Sequence, residues 1–293
     1  MKKNLDWANI GFGYRPTDYR YVSTYKDGAW DEGALITDDT VTISESAGVF
    51  QYAQTCFEGM KAYTTEDGHT VIFRPDLNAE RMMNSCERLR LPVVPKEKFL
   101  DAVVKTVRAN IDWVPPYGSG ATLYIRPFMM GTGHVKAGLN YAMSLYAIEE
   151  AHHQGYDENM YLDSRTRTYV EETGGANFLF VTKDGTVVTP KSPTILPSIT
   201  RRSLMVVARD YLGLKCEERE IPFAELSNMA ECGLCGTAAV ISPVGKVVDG
   251  DKEYVFDNSD GNMGPTIRKL YETLTGIQMG RIEAPKGWIC TVE

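Results

Sequence analysis

The sequence predicts an α+β fold divided into two domains, and three observations lead there. Short apolar runs flank Asp-Gly turns at Asp27-Gly28, Asp67-Gly68 and Asp184-Gly185, the pattern of β-hairpins. Between the hairpins lie segments whose apolar residues recur every three or four positions, the helical period. Finally, 293 residues can bury two cores. A glycine-rich stretch after Met130 offers the dividing point, so we expect a small α+β domain over residues 1–130 and a larger one over 131–293, linked near 127–138.

Taken in order, residues 19–26 alternate like a strand before Asp27-Gly28, and residues 41–44 form a short β segment. Residues 52–63 and 70–75 make a second hairpin around Asp67-Gly68. Ala79, Met82, Met83 and Cys86, with charges between them, mark a helix over 77–89. Pro95 suits the first turn of a further helix carrying Phe99, Leu100, Val103, Val107 and Ile111 on one face. A Pro- and Gly-rich stretch then leads to a strand over 121–127. Residues 140–154 read as a helix stopped by Gly155. Short strands follow at 160–162 and 168–172, a hairpin at 178–189, and a helix after Leu196-Pro197-Ser198 that ends at Gly213. A strand at 215–220, a short helix from Phe223, a β-like run at 237–242 and a last helix over 264–274 complete the chain.

A net charge of −8 argues against a nucleic-acid or anionic-membrane surface, since both call for basic footprints. No apolar run reaches the ~20 residues that span a bilayer, and none follows the N-terminal lysines, which reads as a cytoplasmic protein. The six cysteines are scattered in a chain far larger than disulfide-stapled domains, so free thiols are expected. Cys232 and Cys235 form a C-x-x-C pair, but no second pair completes a zinc site and no metal is expected.

Four segments could carry chemistry. Lys136 stands among the small residues Gly133, Ala137 and Gly138, and is the only lysine between Lys105 and Lys183. Glu171 and Glu172 end a strand just before Thr173-Gly174-Gly175-Ala176-Asn177. Leu196-Pro197-Ser198-Ile199-Thr200 opens a helix, whose N–H groups and dipole favour a phosphate. Cys235-Gly236-Thr237-Ala238-Ala239 is a small-residue turn able to bring backbone N–H groups and a hydroxyl to an anion. Each has a bland counterpart: a solvent-facing lysine, a solvated strand edge, capping by Ser198 or Thr200, a packing corner. Together they supply what pyridoxal 5'-phosphate needs: a lysine for the imine, a carboxylate for the pyridine nitrogen, an anion cradle, and donors for a substrate carboxylate.

The ordered set resembles the branched-chain amino acid aminotransferases, two-domain α+β enzymes of the fold-type IV, D-amino acid aminotransferase-like class. The likeness runs through Phe57-Glu58-Gly59-Met60-Lys61-Ala62-Tyr63, Phe73-Arg74-Pro75, Tyr124-Ile125-Arg126-Pro127, Gly131-Thr132-Gly133-His134-Val135-Lys136 to Tyr141, residues 172–177, residues 196–200 and Gly236-Thr237-Ala238-Ala239. The resemblance implies Lys136 as the Schiff-base lysine and proton carrier, Glu172 at the pyridine nitrogen and Tyr141 at the ring hydroxyl. It implies Arg74, Ile199, Thr200 and Thr237 at the phosphate. Tyr124, Thr237 and Ala238 would receive the substrate carboxylate, with Arg126 supporting Tyr124. Tyr52 and Phe57 would line an apolar pocket in which each buried methylene contributes about 0.8 kcal/mol. It further implies a homodimer that places the cofactor between its domains and exchanges the amino group between leucine, isoleucine or valine and 2-oxoglutarate, as branched-chain amino acid biosynthesis requires.

The chain departs from that family where Met130 runs directly into Gly131, a junction at which relatives carry a few tens of residues. Either the deletion is real or the natural chain carries the stretch; losing core strands should cost several kcal/mol against a typical stability of ~5 to 15 kcal/mol, which favours the second. Leu139 replaces a common glycine. Two rivals stay open: another fold-type IV enzyme, such as a D-amino acid aminotransferase or aminodeoxychorismate lyase, and a non-catalytic relic that keeps the cofactor.

Overall fold

A computed structural model describes residues 2–43, 45, 47–89, 91–129, 145–257 and 261–292, with the backbone alone at Gln51, Tyr52 and Leu145. The chain forms two units, residues 1–140 with 277–293, and residues 141–276.

The first unit is built on an antiparallel sheet. Met60–Thr64 is flanked by Thr70–Phe73 on one side and Leu123–Ile125 on the other, and Ile289–Thr291 adds to the outer edge of Thr70–Phe73. Two helices, Pro75–Arg88 and Lys96–Ala109, cover one face. Alternation puts Met60, Ala62, Ile72 and Ile125 into a core with Ala79, Met82, Cys86, Phe99, Val103 and Val107. Of the expected apolar faces, Ala79, Met82, Cys86, Phe99, Val103 and Val107 are buried, whereas Ile111 lies beyond the second helix and is exposed, and Pro95 stands at that helix's N-cap rather than in its first turn.

The second unit holds a seven-stranded sheet centred on Asn177–Thr182. This strand is buried on both faces through Phe178, Leu179, Phe180 and Val181, as its continuous apolar run requires. Met229–Gly236 pairs along one edge from Asn177↔Cys235 to Thr182↔Met229. The other edge meets Val170–Thr173 at its start and Val187–Pro190 at its end. Cys216–Arg219 joins Val187–Pro190 in parallel, reached through the Ile199–Val206 helix and its π-helical continuation Val207–Tyr211.

Glu231 is 3% exposed and accepts from the backbone amides of Thr266 at 3.0 Å and Ile267 at 2.9 Å, capping the Pro265–Gln278 helix. A Cβ on Gly264 would lie 2.3 Å from that carboxylate, so glycine is required where the helix begins.

Several features differ from the sequence reading, among them the β-like run expected over 237–242, of which 237–239 form a turn and only Val240–Pro243 a strand. Residues 41–43 form no strand, having no partner to complete a ladder. The strand Met229–Gly236 extends through what reads as a bare turn at Cys235, because its small residues pack inside the sheet. The expected division at 1–130 and 131–293 leaves the C-terminal segment with the second domain, whereas residues 277–293 join the first unit, where Ile289–Thr291 hydrogen-bonds Thr70–Phe73. The Met130-Gly131 junction lies outside the described residues. Among them, no helix is long and apolar enough to cross a membrane.

Candidate active site

In the second unit, strand pairing assembles segments that are distant in sequence. Glu172 sits opposite Asn177, and Asn177 sits opposite Cys235, so the ends of three strands converge. Asn177 Nδ2 donates to Glu172 Oε2 at 2.8 Å and to Leu196 O at 3.4 Å, while Leu196 N donates to both Glu172 oxygens at 3.2 Å. Half-buried Glu172 is thereby tied to the segment that opens the Ile199–Val206 helix. Its neighbour Glu171 takes the Ser192 hydroxyl at 2.7 Å and the Thr194 hydroxyl. The two carboxylates that the sequence leaves equivalent thus separate, and only Glu172 is held against the helix entrance.

Ser198 caps that helix by accepting from Arg201 N at 3.2 Å, realising the capping alternative. The amides of Ile199 and Thr200 belong to the same first turn, where N–H groups have no intrahelical acceptor. Both residues are buried. Arg201 is 7% exposed and braces the turn, with Nη1 donating to Pro190 O at 3.0 Å and to Glu218 Oε1 at 2.7 Å. Thr237 and Ala238 follow Gly236 in the turn after Met229–Gly236, and a Cβ on Gly236 would lie 3.8 Å from Gly175 O. One end of the sheet therefore gathers Glu172, Asn177, the helix entrance and the Gly-Thr-Ala turn.

Cys232 and Cys235 lie three residues apart on one strand, so their side chains leave opposite faces. Burial pushes the Cys235 thiol up to about 12 and the Cys232 thiol well above its ordinary range. This geometry keeps the two thiols from closing on each other or on one metal ion. Among the described residues, no group of three or more His, Cys, Asp or Glu gathers as a metal site.

In the first unit, Tyr124 and Arg126 flank buried Ile125, and Arg126 Nη2 donates to Tyr124 OH at 3.1 Å. The Arg126 guanidinium also lies over the Phe57 ring at 4.4 Å and the Tyr124 ring at 5.1 Å. A Cβ on Gly59 would stand 2.2 Å from Tyr124 OH, so this glycine makes room for the phenol. Arg74, in the left-handed conformation at φ 47°, caps the Pro75–Arg88 helix and lies over the Trp288 ring at 4.5 Å. Its amide donates to Trp288 O at 2.7 Å.

Of the expected site residues, Glu172, Ile199, Thr200, Thr237 and Ala238 come together in the second unit, and Phe57, Tyr124 and Arg126 in the first. Arg74 stands at a helix start, over the Trp288 ring. Tyr52 ends the Gly48–Tyr52 helix, but its side chain lies outside the described residues, as do Lys136 and Tyr141 altogether. Sequence reasoning assigned no role to Asn177, Glu58, Asn78 or Arg81. Asn78 and Arg81 are ordinary polar residues of an amphipathic helix, and only Glu58 and Asn177, each beside a phenylalanine in a strand-like run, carry a local signal.

Residues 132–247 match the class IV amino-transferase family. The branched-chain-amino-acid aminotransferase of Haemophilus influenzae is 45% identical, with 99% of this chain and all of the relative covered. That of Helicobacter pylori is 42% identical over 99% of this chain and 98% of its own. The Haemophilus alignment runs over 343 positions against 293 residues here, so some 50 positions of the relative have no counterpart. Among solved structures, the branched-chain aminotransferase of the thermophilic archaeon Thermoproteus uzoniensis with norvaline superposes with a TM-score of 0.72 at 26% identity, covering 93% of this chain and all of that one. With this identity sustained along the chain and the class IV signature spanning Glu172, Ile199 and Thr237, the chain belongs to the branched-chain-amino-acid aminotransferase family.

Proposed function

We propose that the protein is a pyridoxal 5'-phosphate-dependent transaminase that moves the amino group between L-leucine, L-isoleucine or L-valine and 2-oxoglutarate, acting as a cytoplasmic homodimer. The observation that carries this reading is the convergence of Glu172, the Ile199–Val206 helix entrance and the Gly236-Thr237-Ala238 turn in a chain 45% identical to such an enzyme.

The donor set fits the cofactor. A carboxylate oriented by Asn177 and Leu196 N suits a protonated ring nitrogen, and the helix entrance offers amides to a phosphate. When bound, the cofactor supplies an electron sink for the carbon that loses its proton. Lys136 would hold the cofactor and serve as the proton carrier at the substrate α-carbon. Glu172 would pair with the ring nitrogen, and Tyr141 with the ring hydroxyl. Arg74 and Thr237, with the Ile199 and Thr200 amides, bind the phosphate. Tyr124, Thr237 and Ala238 orient the substrate carboxylate, Arg126 fixes the Tyr124 hydroxyl, and Tyr52 and Phe57 keep water from the aliphatic side chain. Glutamate uses the same donors, since transamination is two half-reactions on one site.

The test is glutamate formation from 2-oxoglutarate by the cofactor-loaded protein, with L-leucine or D-alanine as amino donor. Turnover with leucine and not D-alanine is expected. Preference for D-alanine would identify another class IV chemistry, and a bound cofactor without turnover would identify a relic.

A further inference from the structure

Glu58 is fully buried, yet it is a carboxylate to which the proposed chemistry gives no role. Both its oxygens are engaged from the Pro75–Arg88 helix: Arg81 Nε donates to Oε1 at 2.7 Å and Nη2 to Oε2 at 2.6 Å, while Asn78 Nδ2 donates to Oε2 at 2.7 Å. Asn78 Nδ2 also reaches Gly59 O at 3.2 Å, and Glu58 N donates to Pro127 O at 2.8 Å. Asn78 and Arg81, three residues apart, share one helix face.

The neighbours of Glu58 explain why such an anchor sits there. Phe57 on one side is the ring under the Arg126 guanidinium, and Gly59 on the other is the notch that receives Tyr124 OH. Pro127, which accepts the Glu58 amide, directly follows Arg126. The helix that grips Glu58 begins at Arg74. A two-toothed arginine–carboxylate pair has one geometry, so it fixes the backbone between Phe57 and Gly59 in a way an apolar side chain would not. A buried pair is a poor source of stability but a good source of unique geometry when its hydrogen bonds are complete.

We propose that Glu58, held by Arg81 and Asn78, is a positioning residue for substrate recognition: it sets Phe57 and Gly59 so that Tyr124 and Arg126 present a fixed carboxylate-binding geometry. This inference rests on the functional reading above. Glu58 acts through its neighbours and touches no reacting atom.

The test uses a ligand that cannot react. 4-Methylvaleric acid has leucine's carbon skeleton without the amino group, and its affinity for the cofactor-loaded protein is measured by calorimetry beside cofactor content and thermal midpoint. Glu58→Gln keeps the shape and removes the charge, and should weaken binding roughly tenfold, in the range by which supporting residues tune a site, with cofactor content unchanged. Arg81→Lys keeps the charge but loses the fork, and should weaken binding about threefold, a smaller loss because the pair survives without its fixed geometry. Should Glu58→Gln fail to fold, Arg81→Lys carries the test. Unchanged affinity in a folded variant overturns the proposal, as does a loss of affinity that merely tracks cofactor loss. Wild-type protein that binds no branched-chain carboxylate would instead overturn the functional reading.

Discussion

The first unit holds the segment from Phe57 to Gly59 through a buried ion pair, Glu58 with Arg81, reaching to the Pro75–Arg88 helix. In the second, Glu172 accepts from neutral donors among the described residues, the Asn177 amide and the Leu196 N–H, while the helix turn beside it is braced by the Arg201–Glu218 pair. Where the second unit does bury a carboxylate, at Glu231, backbone amides rather than a cation satisfy it. The difference teaches how each fails. Removing one member of an ion pair strands a charge in the interior, whereas removing one neutral donor costs about one hydrogen bond.

The largest stability effect should therefore come from the first unit. Arg81→Ala leaves fully buried Glu58 without its cation and should cost about 3 to 5 kcal/mol in denaturant unfolding. A cost under about 1 kcal/mol would mean that the pair is dispensable and the contrast false. Glu172→Gln should cut turnover by roughly a hundredfold, on the scale of losing one preorganised electrostatic partner. Because its partners Asn177 Nδ2 and Leu196 N can still donate to the amide oxygen of glutamine, the thermal midpoint should barely move, and a large drop would show that Glu172 is chiefly structural. Glu231→Gln weakens two charge-assisted bonds to the Pro265–Gln278 helix and should cost about 1.5 to 3 kcal/mol without changing turnover per folded molecule.

The smallest effect is a pH dependence. The Asp163 carboxyl accepts from the amides of Tyr169, Thr166 and Thr168, which hold it well below the usual carboxylate range. Its folded pKa is depressed, so its contribution is fully present above the unfolded value of about 3.9 and is lost as pH falls through the lower folded value. Asp163→Asn should flatten the midpoint-against-pH curve on that acid limb only, as a pH series from neutral to strongly acid would show.

Much of this was legible in the sequence where local rules suffice. The helices at Pro75–Arg88 and Lys96–Ala109 follow from apolar period and proline placement, and the hairpins around Asp67-Gly68 and Asp184-Gly185 from turn chemistry. From local residues alone Glu172 was one of two adjacent acids; the family resemblance singled it out, and the Glu172↔Asn177 register and the Leu196 amide show how the two acids differ. Glu58 was harder still. A carboxylate between apolar residues reads as exposed until a helix twenty residues downstream supplies Asn78 and Arg81. The return of Ile289–Thr291 to the first unit is likewise a long-range pairing with no local signature.

The proposed chemistry turns on Lys136. Borohydride reduction of the cofactor-loaded protein, followed by peptide mapping, should find the cofactor fixed on Lys136 alone. A label on any other lysine would contradict the assignment.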